Sequence, residues 1–331
     1  MNEIFTGVIG DPREDAKVIN GWMVDEILAE SGGVNWQKKS MTNLISYPVW
    51  NQHQTSACVA FSKAKQISIK VFNLTEKWID FSPSSIYQLR MNKPQGGMHI
   101  SNANDIVNNR GASLEALMKS QMLTETQIEA VPRTTVADMF ARAIAGAVVS
   151  YLYVPISIDR IAQAIQSGKA ISLLIFGDYD EYARPVPVVL NSSLTYAQAP
   201  IRHEVVAVDF YLDENNQKRL RIEDSAHFGG LSVRELTEDF INRRCILADA
   251  IDIFTFEPGE EQRPSYDGSI ISLQKCLRYE GLFPANVEFV EKFGPITQKA
   301  VMQFQVKYGL HPTGVPSIGP LTKAKLKELY P

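Results

Sequence analysis

The chain has 331 residues, enough for two domains of ~150 residues each or for one domain plus a small module. With 45% hydrophobic and 21% charged residues it is not wholesale disordered, and a net charge of −4 has the wrong sign for a general nucleic-acid binder. Charge is unevenly spread: residues 269–331 hold 8 Lys/Arg and 4 Asp/Glu, a net of +4, which leaves −8 on residues 1–268. That asymmetry suggests two modules rather than one continuous core. Three cysteines, Cys58, Cys245 and Cys276, cannot make a disulfide framework. The opening MNEIFTGVIGDPREDAK has no basic start, apolar stretch and small-residue cleavage site, so cytoplasmic synthesis without a signal peptide is expected. The most apolar segment, Ala143–Ile156, is broken by Gly146, Ser150 and Pro155. It is shorter than the ~18 residues of a membrane span, so no span is predicted.

The first helix signal is Asp11 as N-cap, Pro12 at the first helical position and Glu14 closing a capping box. Ile19, Met23 and Ile27 follow at a spacing of four and give it an apolar face. A second strong helix pattern runs from about Cys58 to Phe72, and residues 112–122 and 158–167 also read as helices, the latter closed by Gly168. Residues 171–176, 204–212 and 220–224 are rich in β-branched and aliphatic residues between turn residues, and read as strands. Helices first and strands afterwards predict an α+β domain with segregated halves.

Residues 257–268 are polar, carry two prolines and two glycines, and read as a linker. Beyond them, FGPITQKA (293–300) and IGPLTKAK (318–325) form an internal repeat offset by 25 residues. Each Gly-Pro-x-Thr puts proline in the first turn of a helix, where its missing N–H costs nothing. Leu273 and Leu277, then Ala300, Val301, Phe304 and Tyr308, lie at helical spacing, and Gly281 and Gly309 stand where C-caps belong. The tail is predicted to be a three-helix module of about sixty residues, small for independent burial but compact.

Cys58 opens a predicted helix, where the positive end of the helix dipole favours thiolate. Gln52, six residues earlier, can place an amide donor beside the thiol, and His203 heads an apolar strand-like run. Asp213–Gln217 begins like a calcium loop, but Lys218 sits where glycine is required, so a turn is expected. His53, His99, His227 and His311 make no ligand spacing with the cysteines, and there is no phosphate-binding glycine loop. No metal or cofactor is expected, and Cys245 and Cys276 read as core residues.

Asn51-Gln52 through Cys58-Val59-Ala60-Phe61-Ser62 resembles the active-site segment of the papain-like cysteine peptidases. Gly96-Gly97 resembles that family's substrate-binding edge, His203-Glu204-Val205-Val206 its histidine strand, and Ile222-Glu223-Asp224-Ser225-Ala226 its Asn-Ser-Trp segment. The 145 residues from Cys58 to His203 fall within the ~130–150 of that family. The resemblance covers roughly residues 34–256. It implies a two-lobed α+β peptidase in which Cys58 is the nucleophile, His203 its proton partner and Asp224 the group that orients His203. Gln52 would be an oxyanion donor, and Gly96 and Gly97 would bind substrate backbone. Asp224 replaces the usual Asn, Ala226 the usual Trp and Thr55 a usual cysteine. Residues 1–33 are short for that family's inhibitory propeptide.

The tail resembles a peptidoglycan-binding domain through Leu273-Gln274, Phe293-Gly294-Pro295-x-Thr297, Phe304-Gln305, Tyr308-Gly309-Leu310 and Gly319-Pro320-x-Thr322. The expected organisation is an N-terminal helical extension over 1–33, a peptidase domain over 34–256, a linker over 257–268 and a wall-binding module over 269–331. The expected function is hydrolysis of peptide bonds, targeted to a bacterial wall by the tail. The alternatives are a stem-peptide hydrolase of phage or bacterial origin, or a non-catalytic component such as part of a phage particle. The expected partners are a polypeptide or wall-peptide substrate and peptidoglycan, with no nucleic acid.

Overall fold

The structure, a computed structural model, describes residues 7–8, 33–44, 47–138, 141, 148–185, 189–190, 193–253, 264–284, 287–311, 314–315 and 317–331. The helix expected over residues 11–27 and most of the expected linker lie outside them. The chain divides into two compact units, Met1–Gly146 with Tyr151–Asp252, and Ala147–Ser150 with Ile253–Pro331.

In the first unit the helices come first: α1 (Cys58–Thr75), α2 (Pro83–Tyr87), α3 (Ile100–Arg110) and α4 (Glu125–Ala130). Along the chain there follow strand β1 (Val148–Tyr153), which the division into units cuts after Ser150, helix α5 (Ile158–Gln166), strand β2 (Ala170–Gly177), the single turn α6 (Tyr179–Tyr182) and the short β3 (Val189–Leu190). Then come β4 (Ile201–Leu212), β5 (Lys218–Glu223), β6 (Val233–Thr237), α7 (Glu238–Arg244) and β7 (Cys245–Ile253). Among the described residues these strands form one sheet in the order β1-β7-β2-β4-β5-β6-β3. Neighbours β2, β4, β5 and β6 run antiparallel, as does the β2–β7 pair, while β3 and β6 are parallel.

Local chemistry sets the helix ends. Ser82, Thr124 and Ser157 cap α2, α4 and α5 with their side chains, Thr124 in a full capping box with Gln127. Helix α1 ends as Glu76 turns left-handed (φ 58°) and returns its N–H to Phe72. Strand β4 alternates between two cores, as a strand must. Val205 and Ala207 pack with Ile161, Leu173 and Ile222 under α5, while Val206 and Val208 pack with Ile69 of α1.

Residues 112–122 do not form the expected helix; they make turns and an isolated bridge from Leu114 to Phe81. Long-range pairing takes the backbone groups a helix would use. Ser113 O accepts from Ser82 N–H, Glu115 N–H donates to Asp80 O, and the Glu115 carboxylate accepts from Ser120 N–H at 2.6 Å.

The second unit holds α8 (Ile270–Tyr279), α9 (Pro295–Lys307) and α10 (Pro320–Leu329) around Leu273, Leu277, Val301, Phe304, Leu326 and Tyr330. Pro295 and Pro320 open their helices, and Gly281 (φ 73°) and Gly309 (φ 65°) supply left-handed turns after α8 and α9. The sequence repeat is a repeated clamp. Gln274 donates to Thr297 Oγ1 (2.9 Å) and Lys292 O (3.2 Å) and accepts from Val290 N–H (2.9 Å). One helix later, Gln305 donates to Thr322 Oγ1 (3.1 Å) and Ser317 O (2.8 Å) and accepts from Val315 N–H (2.7 Å). In both, a buried amide ties the loop before a Gly-Pro-x-Thr helix to the helix behind it, with both its N–H hydrogens and its oxygen bonded.

Candidate active site

Cys58 is the first residue of α1 and is fully buried. Its backbone N–H lies in the first helical turn, where donors have no intrahelical acceptor. The loop before it is held from two sides. Gln52 donates its N–H to Ser225 O (2.8 Å) and accepts the Ser225 hydroxyl at Oε1 (2.8 Å). Its Nε2 donates to Thr55 O at 2.9 Å, which uses one of that nitrogen's two hydrogens. Ser56 N–H donates to Glu125 Oε2 (2.9 Å), and Glu125 Oε1 accepts the Tyr87 hydroxyl (2.5 Å). Burial and the Glu125 contact push the Tyr87 phenol up, so it stays a neutral donor.

The helix itself is anchored from inside. Lys63 of α1, fully buried, reaches Asp249 of β7 at 2.6 Å and Glu204 of β4 at 3.0 Å. Ser172, Gln66 and Asn104 complete the shell around Asp249. A charged side chain out of water must be matched in this way, and the match fixes α1 against the sheet that carries His203.

His203 lies on β4 opposite Ile175 of β2, and Asp224 directly follows β5. Their side chains meet with His203 Nε2 at 2.8 Å from Asp224 Oδ1, both groups out of water. Burial opposes charge on His203. The Asp224 carboxylate and then a hydrogen bond with Cys58 outweigh it, and His203 is pushed up to about 10. Asp224 is in turn held below the usual carboxylate range. Burial works against this, but His203, Arg234 and the Ala226 N–H (2.9 Å to Oδ1) prevail. The rings of Tyr182 and Phe228 stand edge-on to the imidazole, with centroids 6.2 Å and 6.1 Å away. They flank His203 although Ala226 presents no ring.

Gly96 and Gly97 lie near the loop that precedes Cys58. A side chain at Gly96 would meet Ser56 Oγ at 3.1 Å, and Gly97 (φ 79°) donates its N–H to Tyr87 Oη at 2.9 Å. The edge beyond them is occupied by the chain's own residues 7–8. Met98 N–H donates to Gly7 O at 2.7 Å and Val8 bridges Met98 in parallel. A Cβ on Gly7 would stand 2.6 Å from Cys58 Sγ and 2.5 Å from Ser56 O, so only glycine fits there. The sequence implies a helical extension over residues 1–33, short for an inhibitory propeptide, and nothing in it marks Gly7–Val8 as lying beside the thiol.

Tyr87, Glu125, Lys63 and Arg234 belong to this neighbourhood without being expected from the sequence. A signal existed for two of them. Lys63 falls on the stripe between Val59 and Ile67, four residues either way, and Arg234 shares a strand face with Leu236. Among the described residues no group of His, Cys, Asp and Glu is arranged to hold a metal ion. No described helix is long and apolar enough to cross a membrane. The turn at Asp213 is closed by Asn215 and Gln217 N–H groups on Asp213 Oδ1. Burial keeps Cys245 and Cys276 protonated by pushing each up to about 12.

This arrangement of a helix-borne cysteine facing a strand-borne histidine belongs to a papain-like fold. A digestive procathepsin L 3 from Tenebrio molitor larval midgut, 13% identical, matches with a TM-score of 0.51 over 72% of this chain and 86% of its own. The Amb a 11 cysteine protease of ragweed pollen in its proform, 15% identical, matches with a TM-score of 0.51 over 76% and 78%. At these identities the likeness is one of fold. Residues 267–326 match the family model described as "Putative peptidoglycan binding domain". No curated protein matches the sequence.

Proposed function

We propose that the chain is a cysteine peptidase that hydrolyses peptide bonds through Cys58, His203 and Asp224 and is carried to a bacterial wall by residues 269–331. The observation behind this reading is the 2.8 Å contact of His203 Nε2 with Asp224 Oδ1, which leaves Nδ1 to exchange a proton with Cys58. In the first step the Cys58 thiolate attacks the scissile carbonyl carbon, and the new carbon–sulfur bond pushes charge onto the carbonyl oxygen. The Cys58 N–H and the second Nε2 hydrogen of Gln52 are the donors for that oxyanion. The carbon–nitrogen bond then breaks, and the amine leaves with the His203 proton. Water next attacks the thioester, His203 takes a proton from it, and thiolate leaves as the acid is released. Asp224 keeps the ring turned for both transfers, and Gly96 and Gly97 leave room for an extended substrate backbone.

Gly7 stands at the thiol where a substrate carbonyl must come, so turnover begins from molecules in which residues 7–8 have moved away. A second reading of the substrate, wall stem peptides in place of proteins, is favoured by the match of residues 267–326. The test is purified protein and its Cys58→Ala variant, each incubated with a mixed peptide library and with isolated sacculi, with product masses read and sacculus sedimentation measured. Cys58-dependent new termini in the library support a protein substrate; Cys58-dependent release from sacculi supports stem peptides. If neither substrate is cut, and thiol reagents do not reach Cys58 after mild unfolding and refolding, the chain is a binding protein that keeps the fold. Protein that stays in the supernatant with sacculi overturns wall targeting.

A further inference from the structure

We propose that Arg234 is a positioning residue of this site, one guanidinium that offsets the Asp224 carboxylate and fixes both aromatic residues flanking His203. The inference rests on the reading above in that it concerns the same histidine. Arg234 is on β6, paired with Ile222 of β5, and none of it reaches solvent. Its Nε lies 3.4 Å from Asp224 Oδ2. Its Nη2 donates to Tyr182 O at 3.0 Å and to Phe228 O at 2.5 Å, and its Cζ lies over the Tyr182 ring, 4.8 Å from the centroid. These three partners, Asp224, Tyr182 and Phe228, all stand against the imidazole.

Charge explains why the three are joined. A neutral amide beside His203 would leave a thiolate–imidazolium pair in neutral surroundings. Asp224 adds a full negative charge to a buried site, which is strongly unfavourable unless a counter-ion is present. Arg234 supplies it, and the two carboxylate oxygens divide the load. Oδ1 serves His203 and the Ala226 N–H, while Oδ2 faces Arg234. Asp224 and Arg234 together act as one neutral, dipolar unit. Because the guanidinium opposes the carboxylate's pull, His203 still releases its proton to a leaving amine. The other charged or titratable groups around this cluster are Cys58 of α1, Glu181 and Tyr182 of α6, His227 after β5 and Arg244 of α7. Arg244 and Glu181 pair with each other, so the added balance is small.

The test follows the His203 ring by nuclear magnetic resonance of the full chain labelled in histidine, with His203→Gln giving the assignment. Arg234→Met should raise the midpoint of the His203 titration by about one pH unit. Asp224→Asn should lower it most, because Arg234 then stands unopposed, and the double variant should fall between Asp224→Asn and wild type. Arg234→Lys should stay near wild type. In turnover, Arg234→Met should lower kcat about tenfold with KM little changed, since Arg234 does not touch substrate. Superimposable titrations of wild type and Arg234→Met overturn the proposal. If Arg234→Met does not fold, equal midpoints for Asp224→Asn and the double variant overturn it instead. The ring titration needs no substrate. An ordered shift in a protein that cuts nothing therefore overturns the peptidase reading alone.

Discussion

His203 and Glu204 are consecutive on β4, yet each belongs to a separate buried charge cluster. Strand alternation turns Glu204 toward α1, where Lys63 and Asp249 wait, and His203 toward the opposite core, where Asp224 and Arg234 close around it. The Lys63 cluster is crowded with donors: Ser172, Gln66 and Asn104 all bond Asp249, and the geometry is tight at 2.6 Å. The Arg234 cluster is looser, with its ion pair at 3.4 Å and the Asp224 Oδ2 and Arg234 Nε atoms making no directed hydrogen bond. The difference teaches that the first cluster holds an element in place while the second holds a proton in balance. A network drawn tight around Asp249 gives position; a loose, charge-neutral one suits a histidine that is to change its state.

The comparison breaks first at Lys63. Lys63→Met leaves Asp249 and Glu204 buried without their cation, so the first unit should lose about 3–5 kcal/mol. All four tryptophans lie at or before Trp78, so their fluorescence during urea unfolding reports on that part of the chain. Adding Asp249→Asn should recover part of the loss. A loss under about 1 kcal/mol would mean that packing alone holds α1.

The site half is sharpened by Gly7. A methyl group there would stand 2.5–2.6 Å from Ser56 O and Cys58 Sγ, so Gly7→Ala must shift the segment off the thiol. Overpacking of that kind costs about 1–3 kcal/mol, which is roughly a 5- to 150-fold larger open population. Alkylation of Cys58 in the full chain should accelerate by that factor, with Cys245 and Cys276, kept protonated by burial, as slow internal references. An unchanged rate would mean that residues 7–8 do not limit access to Cys58.

Much of this was legible because the relevant signals are local. The segment from Gln52 to Ser62, the strand beginning near His203 and the Gly-Pro-x-Thr repeat each carry their pattern within about ten residues. The repeat marks two helix starts; the matching clamps of Gln274 and Gln305 join segments 16 to 23 and 10 to 17 residues apart and leave no local sign. Residues 112–122 failed because Leu114, Leu117 and Met118 mimic helical spacing while Ser113 and Glu115 are bonded to residues 80–82. Nothing within that window announces such a partner. Arg234 and Lys63 sit on apolar faces by spacing, but a lone charge there reads equally well as an edge of the face. The counter-ions, Asp224 ten residues before Arg234 and Asp249 far beyond Lys63, are what decide it. Gly7 carries no sign at all, since its reason is a contact with residue 58.

The smallest expected effect separates the two clusters by pH. Glu204 is pushed up to about 7: burial raises it, Asp249 adds to that, and Lys63 only partly offsets them. A carboxyl raised in the folded state holds its proton there more tightly than in the unfolded chain. Its contribution is therefore largest below the unfolded value of 4.5 and is lost as pH rises through about 7. Glu223 is also pushed up to about 7 and Glu115 to about 8, so the wild-type slope alone does not isolate Glu204. The difference between wild type and Glu204→Gln does, because the amide cannot titrate and the other two groups cancel. That difference should move against wild type by at most about 1.4 kcal/mol per pH unit between pH 5 and 7, and level off above. A flat difference would mean that Lys63 keeps Glu204 ionised throughout, making the anchoring cluster a permanent ion triad. A falling difference means that Glu204 gives up its proton only near neutrality, while Asp249, held low by Lys63 and its donors against the pull of burial, carries the anchor at every pH in the window.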